Sequence, residues 1–273
     1  MARWLTLISV AVVALTACPR RKQPERGLEL VFSKTGDVRP VVEKRLAQLG
    51  LVTRITDDDT HLTVRVPESD TALDVGALGR LLTMPAKLEF CAEATPVGGA
   101  LCDSDAGVPI GREDPPRSDC YLSGADAGAL VQAASAAVKG RVLVGSIFPD
   151  APARTFLADD CSSPRLLEAT VKRDDDTRVL ALALTFDAPS ASRFADLTGR
   201  VVRRRLLVVL DDRVHSAPVV MEAIKGGRAM ISFGPTATED EVTQLGRALA
   251  GGALPGTLTL ERTDTYGPPT LVK

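Results

Sequence analysis

The sequence predicts an α+β fold, and three observations carry this prediction. Some segments place apolar residues at helical spacing, whereas others alternate apolar and polar residues as strands do. Residues 28–91 give these segments the order β-α-β-β-α-β, which is the split βαβ arrangement of a ferredoxin-like unit. Hydrophobic residues make up 45% of the chain and charged residues 25%, which is ordinary for a folded globular protein.

The first segment contains a regular succession of elements. Val42, Leu46 and Leu49 follow helical spacing, and Asp37 stands where a helix cap is expected. Three aspartates at 57–59 lie between two strand-like runs, so we predict a solvated hairpin turn there. The predicted elements are a strand over 28–32, a helix over 37–50, strands over 51–56 and 61–66, a helix over 70–82 and a closing strand over 87–91.

From about residue 93 the chain is loop-rich, and regular elements then resume. Capping-box spacing at Ser123 to Asp126 and at Thr238 to Glu241 predicts the start of two helices. We expect the short strand over 228–233 to be buried beneath the last helix rather than to offer a free edge to an extended peptide. Other predicted strands cover 166–171, 179–186, 206–210, 214–220 and 257–262, and a helix begins near Pro189.

The N-terminus is typical of an exported lipoprotein. An apolar run over 4–14 follows the single charge of Arg3 and is too short to span a membrane, which takes about 20 residues. Leu15-Thr16-Ala17-Cys18 resembles a lipobox, which predicts cleavage after Ala17 and acylation of Cys18, palmitate included. The alternative is a plain signal peptide with a chance cysteine. The expected division is a signal peptide over 1–17 and a lipid-anchored tether over 18–27.

The remaining cysteines agree with export. Four are left once Cys18 is set aside, and an even number in an exported chain indicates two disulfides with three possible pairings. We favour the nested pairs Cys91–Cys161 and Cys102–Cys120. No CxxC pair occurs, so a zinc site is the weaker interpretation.

Composition and motifs argue against several function classes. Lys and Arg number 33 against 35 Asp and Glu, so no basic excess is available to bind nucleic acid. The chain contains only 2 histidines, and no Gly-x-Ser-x-Gly, phosphate-loop or Gly-x-Gly-x-x-Gly motif occurs. The aspartates at 57–59 and 174–176 lack calcium-loop spacing. The sequence therefore predicts a protein that is not an enzyme and has no cofactor, metal site or catalytic residue.

The C-terminal third carries an ordered series of blocks. Leu184-Thr185-Phe186 is followed by Ser216-Ala217-Pro218-Val219-Val220, Ile224-Lys225-Gly226-Gly227 and Gly251-Gly252-Ala253-Leu254-Pro255. This series resembles the large first periplasmic domain of the SecD family of protein-export subunits, and the likeness covers most of residues 28–270. It implies a ferredoxin-like base over 28–92, an inserted α+β head over 93–253, and a return strand and tail over 254–273. Gly251, Gly252 and Pro255 are the hinge candidates between the two.

The resemblance implies a function, and the departures from the family limit it. No run after residue 18 is apolar enough to span a bilayer, so the family's proton-coupling helices are not expected here. The first hypothesis is a periplasm-facing lipoprotein, in the inner or the outer membrane, that assists export. Its partners would be unfolded exported polypeptides or Sec translocon subunits, with the lipid bilayer bound through Cys18. The alternative is an envelope-assembly or chaperone-like lipoprotein unrelated to the translocon.

Overall fold

The computed structural model describes residues 26–68, 74–94, 101–102, 108–112, 120–147, 151–173 and 178–267. Ala17, Cys18 and the acidic turn at 174–176 lie outside the described residues. In chain order the elements are β1 Gly27–Lys34, α1 Arg39–Gln48, β2 Arg54–Asp57, β3 His61–Pro67, α2 Val75–Thr83, β4 Leu88–Glu93, β5 Ile110–Arg112, β6 Cys120–Leu122, α3 Ala127–Ala137, β7 Arg141–Gly145, β8 Arg154–Ser162, β9 Leu166–Arg173, β10 Leu180–Phe186, α4 Ala188–Arg200, β11 Leu206–Leu210, β12 Arg213–Ser216, β13 Arg228–Ser232, α5 Glu239–Gly251 and β14 Leu258–Tyr266.

The two ends of the described chain form one antiparallel sheet with the strand order β14-β1-β3-β2. Alternating apolar residues of β1 and β3 form a core with apolar residues of α1 and α2, among them Leu30, Phe32, Val42, Leu62, Val64 and Leu82. The side chain of Asp74 caps α2 by accepting a hydrogen bond from the Ala77 N–H at 3.0 Å. We call β1, β2, β3, β14, α1 and α2 the four-stranded unit.

Two local predictions for this unit are corrected by the structure. Helix α1 begins at Arg39 with Val38 at the N-cap, so Asp37 is not the cap. The strand predicted to close this sheet at 87–91 lies elsewhere, since β4 pairs with β11 and β8. All six residues of β4 are buried, which requires neighbours on both faces. The position beside β1 is occupied by β14 instead.

The segment from β4 to α5, which we call the inserted unit, contains two larger sheets. Strands β11, β12, β7, β8 and β4 close into a small barrel, and α3 packs beside β7 and β8. Strands β13, β10 and β9 form an open sheet whose inner face packs on α5. The two sheets share one core, where the rings of Phe90, Phe186 and Phe194 lie 4.8–5.8 Å apart. The predicted α+β class is confirmed.

Candidate functional site

The chain crosses between the two units twice, and the crossings lie side by side. It leaves the four-stranded unit after α2 and returns after α5. The Leu254 N–H donates to the Pro85 carbonyl at 3.0 Å, which joins the outgoing crossing to the returning one. A second link joins Thr35, which follows β1, to Thr257, which precedes β14, through backbone and side-chain hydrogen bonds. The joint is therefore a pair of bonded segments rather than two independent linkers.

Arg45 on α1 lies at the centre of this joint and is fully buried. Its guanidinium donates to main-chain carbonyls from both units, namely Leu81 at 2.8 Å, Leu82 at 3.1 Å, Met84 at 2.7 Å and Gly252 at 2.8 Å. The first three carbonyls end α2 and the fourth follows α5, so the cation serves two helix C-termini that would otherwise leave acceptors unpaired. One buried side chain thus bonds to both crossings.

Burial of Arg45 has an electrostatic consequence. Desolvation lowers the pKa of Arg45 to about 10, and the nearby Asp211 carboxylate opposes this shift. The guanidinium remains charged at neutral pH and interacts with the carbonyl dipoles at the two helix ends. The aliphatic part of the side chain packs on Gly251, where a Cβ atom would lie 2.4 Å from the Arg45 Cγ.

The hinge candidates all lie at this joint. Gly251 is the buried last residue of α5, and Gly252 follows with a φ of 101°, a value that suits glycine. Pro255 lies in the returning crossing, where its carbonyl is 3.1 Å from the position of a Cβ on Gly36. The Gly252 carbonyl accepts the hydrogen bond from Arg45 at 2.8 Å, so this bond opposes a change in the Gly252 backbone angles.

The open sheet presents a second candidate surface, the edge of β13. The Phe233 N–H donates to the Leu180 carbonyl and the Phe186 N–H to the Gly227 carbonyl, which sets the register of the ladder. Odd-numbered residues of β13 therefore bond to β10, and the backbone groups of Arg228 and Met230 face outward. His215 contacts the carbonyl of Ser232 at 3.0 Å and covers that end of the edge.

The prediction that β13 is buried beneath the last helix is wrong. The side chains of Arg228 and Ser232 are exposed, and Met230 is 54% exposed; only Ile231 of the strand lies in the core. The reason is geometric, because α5 packs over β9 and β10 and leaves β13 at the rim of the sheet. This edge is an exposed backbone ladder with an apolar side chain beside it.

The four cysteines of the inserted unit form two disulfides. Cys91 on β4 bonds to Cys161 on β8, and Cys102 bonds to Cys120 on β6. These are the nested pairs favoured from the sequence. The first disulfide joins directly opposed residues of neighbouring barrel strands, and the second joins Cys102 to the first residue of β6.

A group of charges lies where the barrel meets the joint. Arg141 bonds to Glu89 and to Asp212, each at 2.7 Å, and Lys87 lies 3.3 Å and 2.9 Å from the same two carboxylates. Burial raises the pKa of Glu89, but the hydrogen bond and charge of Arg141, together with Lys87, lower it below its ordinary value. The residues present form paired charges rather than a catalytic set.

Sequence reasoning missed Arg45, although a signal was present. Val42, Leu46 and Leu49 define the inward face of α1, and position 45 falls on that face. A cation on an apolar helix face predicts either a buried partner or a misassigned helix, and here the partners are carbonyls.

Among the described residues, no group of three or more His, Cys, Asp or Glu side chains could hold a metal ion.

Comparison with known proteins places the fold. Residues 153–256 match the family model for the SecDF P1 head subdomain. The protein translocase subunit SecD of Desulfurispirillum indicum is 42% identical over 104 residues, which are 38% of this chain and 20% of that protein. SecD of Magnetococcus marinus is 40% identical over 87 residues, 32% of this chain and 16% of the relative.

The solved structures agree over a larger share of the chain. A crystal structure of SecDF in its super-membrane-facing form has a TM-score of 0.56 at 23% identity, over 89% of this chain and 30% of that one. A structure described as a membrane component SecDF that enhances protein export has a TM-score of 0.52 at 22% identity, covering 86% of this chain and 98% of the other. The chain has the fold of the SecD periplasmic P1 domain.

The resemblance to SecD predicted from the sequence blocks is confirmed, and its extent is defined. The P1 head match begins just before β8, after β6, α3 and β7, and runs through α5 to the returning crossing. The matched segments cover no more than 20% of the two SecD relatives. In the described part of the chain, no helix has the length and apolar character to cross a membrane.

Proposed function

We propose that this P1-type chain is a non-catalytic, lipid-anchored periplasmic protein that assists protein export by holding extended segments of translocating polypeptides. The SecD and SecDF relatives, named as translocase subunits, support a role in protein translocation. The edge of β13 is the observation that carries the finer proposal. Its outward N–H and C=O groups at Arg228 and Met230 can extend the sheet by one strand, as in β-augmentation.

The proposed division of labour follows the two units. The four-stranded unit acts as the base, residues 18–27 act as the tether through acylated Cys18, and the inserted unit acts as the head that carries the peptide edge. Main-chain hydrogen bonds would supply affinity without sequence preference, which suits a protein that has to accept many exported chains. Met230 would add a flexible apolar contact. Gly251, Gly252 and Pro255 would allow the head to change its angle once the Arg45 bond opens.

Site-specific photocrosslinking tests this proposal. A photoreactive side chain at Met230 should capture an extended translocating chain or a channel subunit in membranes that are exporting protein. The matched control is Met221, which is 77% exposed but lies outside the open sheet. Capture at both positions alike indicates nonspecific contact. Capture of unrelated envelope proteins alone at Met230 would replace the export role with an envelope-assembly role.

A pair of proline variants tests the edge itself. Met230→Pro removes an outward N–H and leaves the ladder to β10 intact, so peptide capture should fall while the sheet remains folded. Ala229→Pro removes an N–H that bonds to Leu184 and should destabilise the sheet. Unchanged capture by a folded Met230→Pro protein would exclude strand addition at this edge.

A further inference from the structure

A cavity of about 340 Å³ lies beside the joint, between the two units. Its walls are largely aliphatic and come from both units and from the returning crossing, with Leu88, Leu166, Leu249 and Leu254 among them. Partly enclosed cavities of this size at the contact between two structural units are where small molecules usually bind. None of the lining residues that the structure describes is aromatic.

Of the residues described in this lining, the charged ones are all cations, namely Lys44, Lys87 and Arg165. Lys87 is paired with Glu89 and Asp212. In the described part of the chain, Lys44 and Arg165 have no carboxylate within 4 Å, and Arg165 acts on Asp187 only at longer range. Two exposed cations without a bonded counter-charge therefore stand at the rim of an aliphatic cavity.

We propose that this cavity binds an amphipathic anion, a molecule with one alkyl chain that ends in a carboxylate or a phosphate. The alkyl chain would contact the leucine walls, and the anionic end would lie between Lys44 and Arg165. Ser163 is the remaining polar side chain among the lining residues within the described ranges, so they supply few of the side-chain donors and acceptors that recognise a sugar or a nucleobase.

Such a ligand would connect the two units. Lys44 lies on α1 of the four-stranded unit, whereas Arg165 immediately precedes β9 of the inserted unit. The cavity also reaches Gly252, whose carbonyl binds Arg45. A bound anion would therefore stabilise the present angle between the units. This inference is independent of the proposed role in export.

Binding of laurate and of dodecyl phosphate, each below its micellar concentration, tests the proposal by calorimetry on the folded chain. Both ligands carry the required chemistry, and the tighter one identifies the source as a free fatty acid or as a phosphate-headed lipid. Lys44→Ala with Arg165→Ala should weaken binding about tenfold. The matched control, Arg203→Ala with Lys225→Ala, removes two exposed cations away from the cavity and should leave binding unchanged.

A third variant tests the cavity without altering charge. Ala253 is exposed at the mouth, so Ala253→Trp should fill the entrance and abolish binding, while circular dichroism reports an unchanged fold. Equal binding of dodecanol would overturn the assignment of an anion. Equal loss in the control pair, or unchanged binding in Ala253→Trp, would place the ligand elsewhere. Binding of an acidic extended peptide but of neither alkyl anion would also overturn it.

Discussion

Arg45 and Gly252 are hydrogen-bonded at 2.8 Å although 207 residues separate them in the chain. The same guanidinium bonds to the carbonyls that end α2, so the outgoing and returning crossings are held by one buried cation. We expect this bond to restrain any turn of the inserted unit about Gly252.

Removing the guanidinium should weaken both folding and the joint. Arg45→Met keeps much of the side-chain volume but leaves buried carbonyls at two helix ends without a donor. We expect the free energy of unfolding to fall by about 3 kcal/mol, measured by urea denaturation. The distribution of distances between spin labels on the two units should become broader in the same variant. A narrow, unchanged distance distribution would show that Arg45 does not hold the angle.

Gly251 should be intolerant of a side chain for a steric reason. A Cβ atom there would lie 2.4 Å from the Arg45 Cγ, whereas a Cβ at Gly226 meets nothing within 4 Å. Gly251→Ala should therefore lower stability by about 1–3 kcal/mol, and Gly226→Ala should change it little. Thermal unfolding of the two variants gives the comparison, and equal midpoints would contradict the close packing.

Glu89 should make stability depend on pH in the acidic range. Its pKa in the folded protein is lowered, so its ionised form contributes stability above the unfolded value of about 4.3, and this contribution is lost as the pH falls through the folded pKa. The free energy of unfolding, measured by urea denaturation between roughly pH 3 and pH 7, should depend less steeply on pH in Glu89→Gln than in the unchanged chain. Glu43→Gln, which removes an exposed partner of Arg39, is the control and should retain the slope. The same dependence of the unfolding free energy on pH in the unchanged chain, Glu89→Gln and Glu43→Gln would contradict this role of Glu89.

The two disulfides should differ in their contribution to stability. Cys91 and Cys161 are separated by 70 residues, but Cys102 and Cys120 by 18. Loop-closure entropy predicts about 4 kcal/mol for the longer loop and about 3 kcal/mol for the shorter one. Replacing both cysteines of one disulfide by alanine should lower the free energy of unfolding more for Cys91–Cys161 than for Cys102–Cys120, as measured by urea denaturation. Cys91→Ala adds the cost of a cavity to the first of these losses. Mass mapping without reductant should find all four cysteines oxidised, and free thiols there would contradict the pairing.

Lipidation should depend on one thiol. Cys18→Ser should abolish incorporation of labelled palmitate and release the chain from the membrane fraction, because acyl chains supply the anchor. The unchanged chain in the same cells is the reference. Labelled palmitate that still enters the Cys18→Ser protein would refute the lipoprotein prediction, and membrane fractionation of the unchanged chain would assign it to the inner or the outer membrane.

Local patterns in the sequence predicted most of the individual elements. The capping box at Thr238 and Glu241 opens α5, and both of its reciprocal hydrogen bonds are present. The second predicted box is modified, since Asp126 rather than Ser123 caps α3 by accepting from the Ala129 N–H. These features involve residues that are three or four apart, so side-chain type and spacing are enough to specify them.

The sequence by itself determined the α+β class and the resemblance to the SecD P1 domain, and it favoured the nested cysteine pairs that the structure then showed. Only the tertiary structure decided the sheet to which β4 belongs, the exposure of β13 and the partners of Arg45. An apolar strand such as β4 has the same local pattern in either sheet, and its pairing with β8 and β11 is selected by packing on both faces. The carbonyls that bind Arg45 lie 36 to 207 residues away. Because every residue has a main-chain carbonyl, the amino-acid sequence does not indicate which carbonyls will bind Arg45.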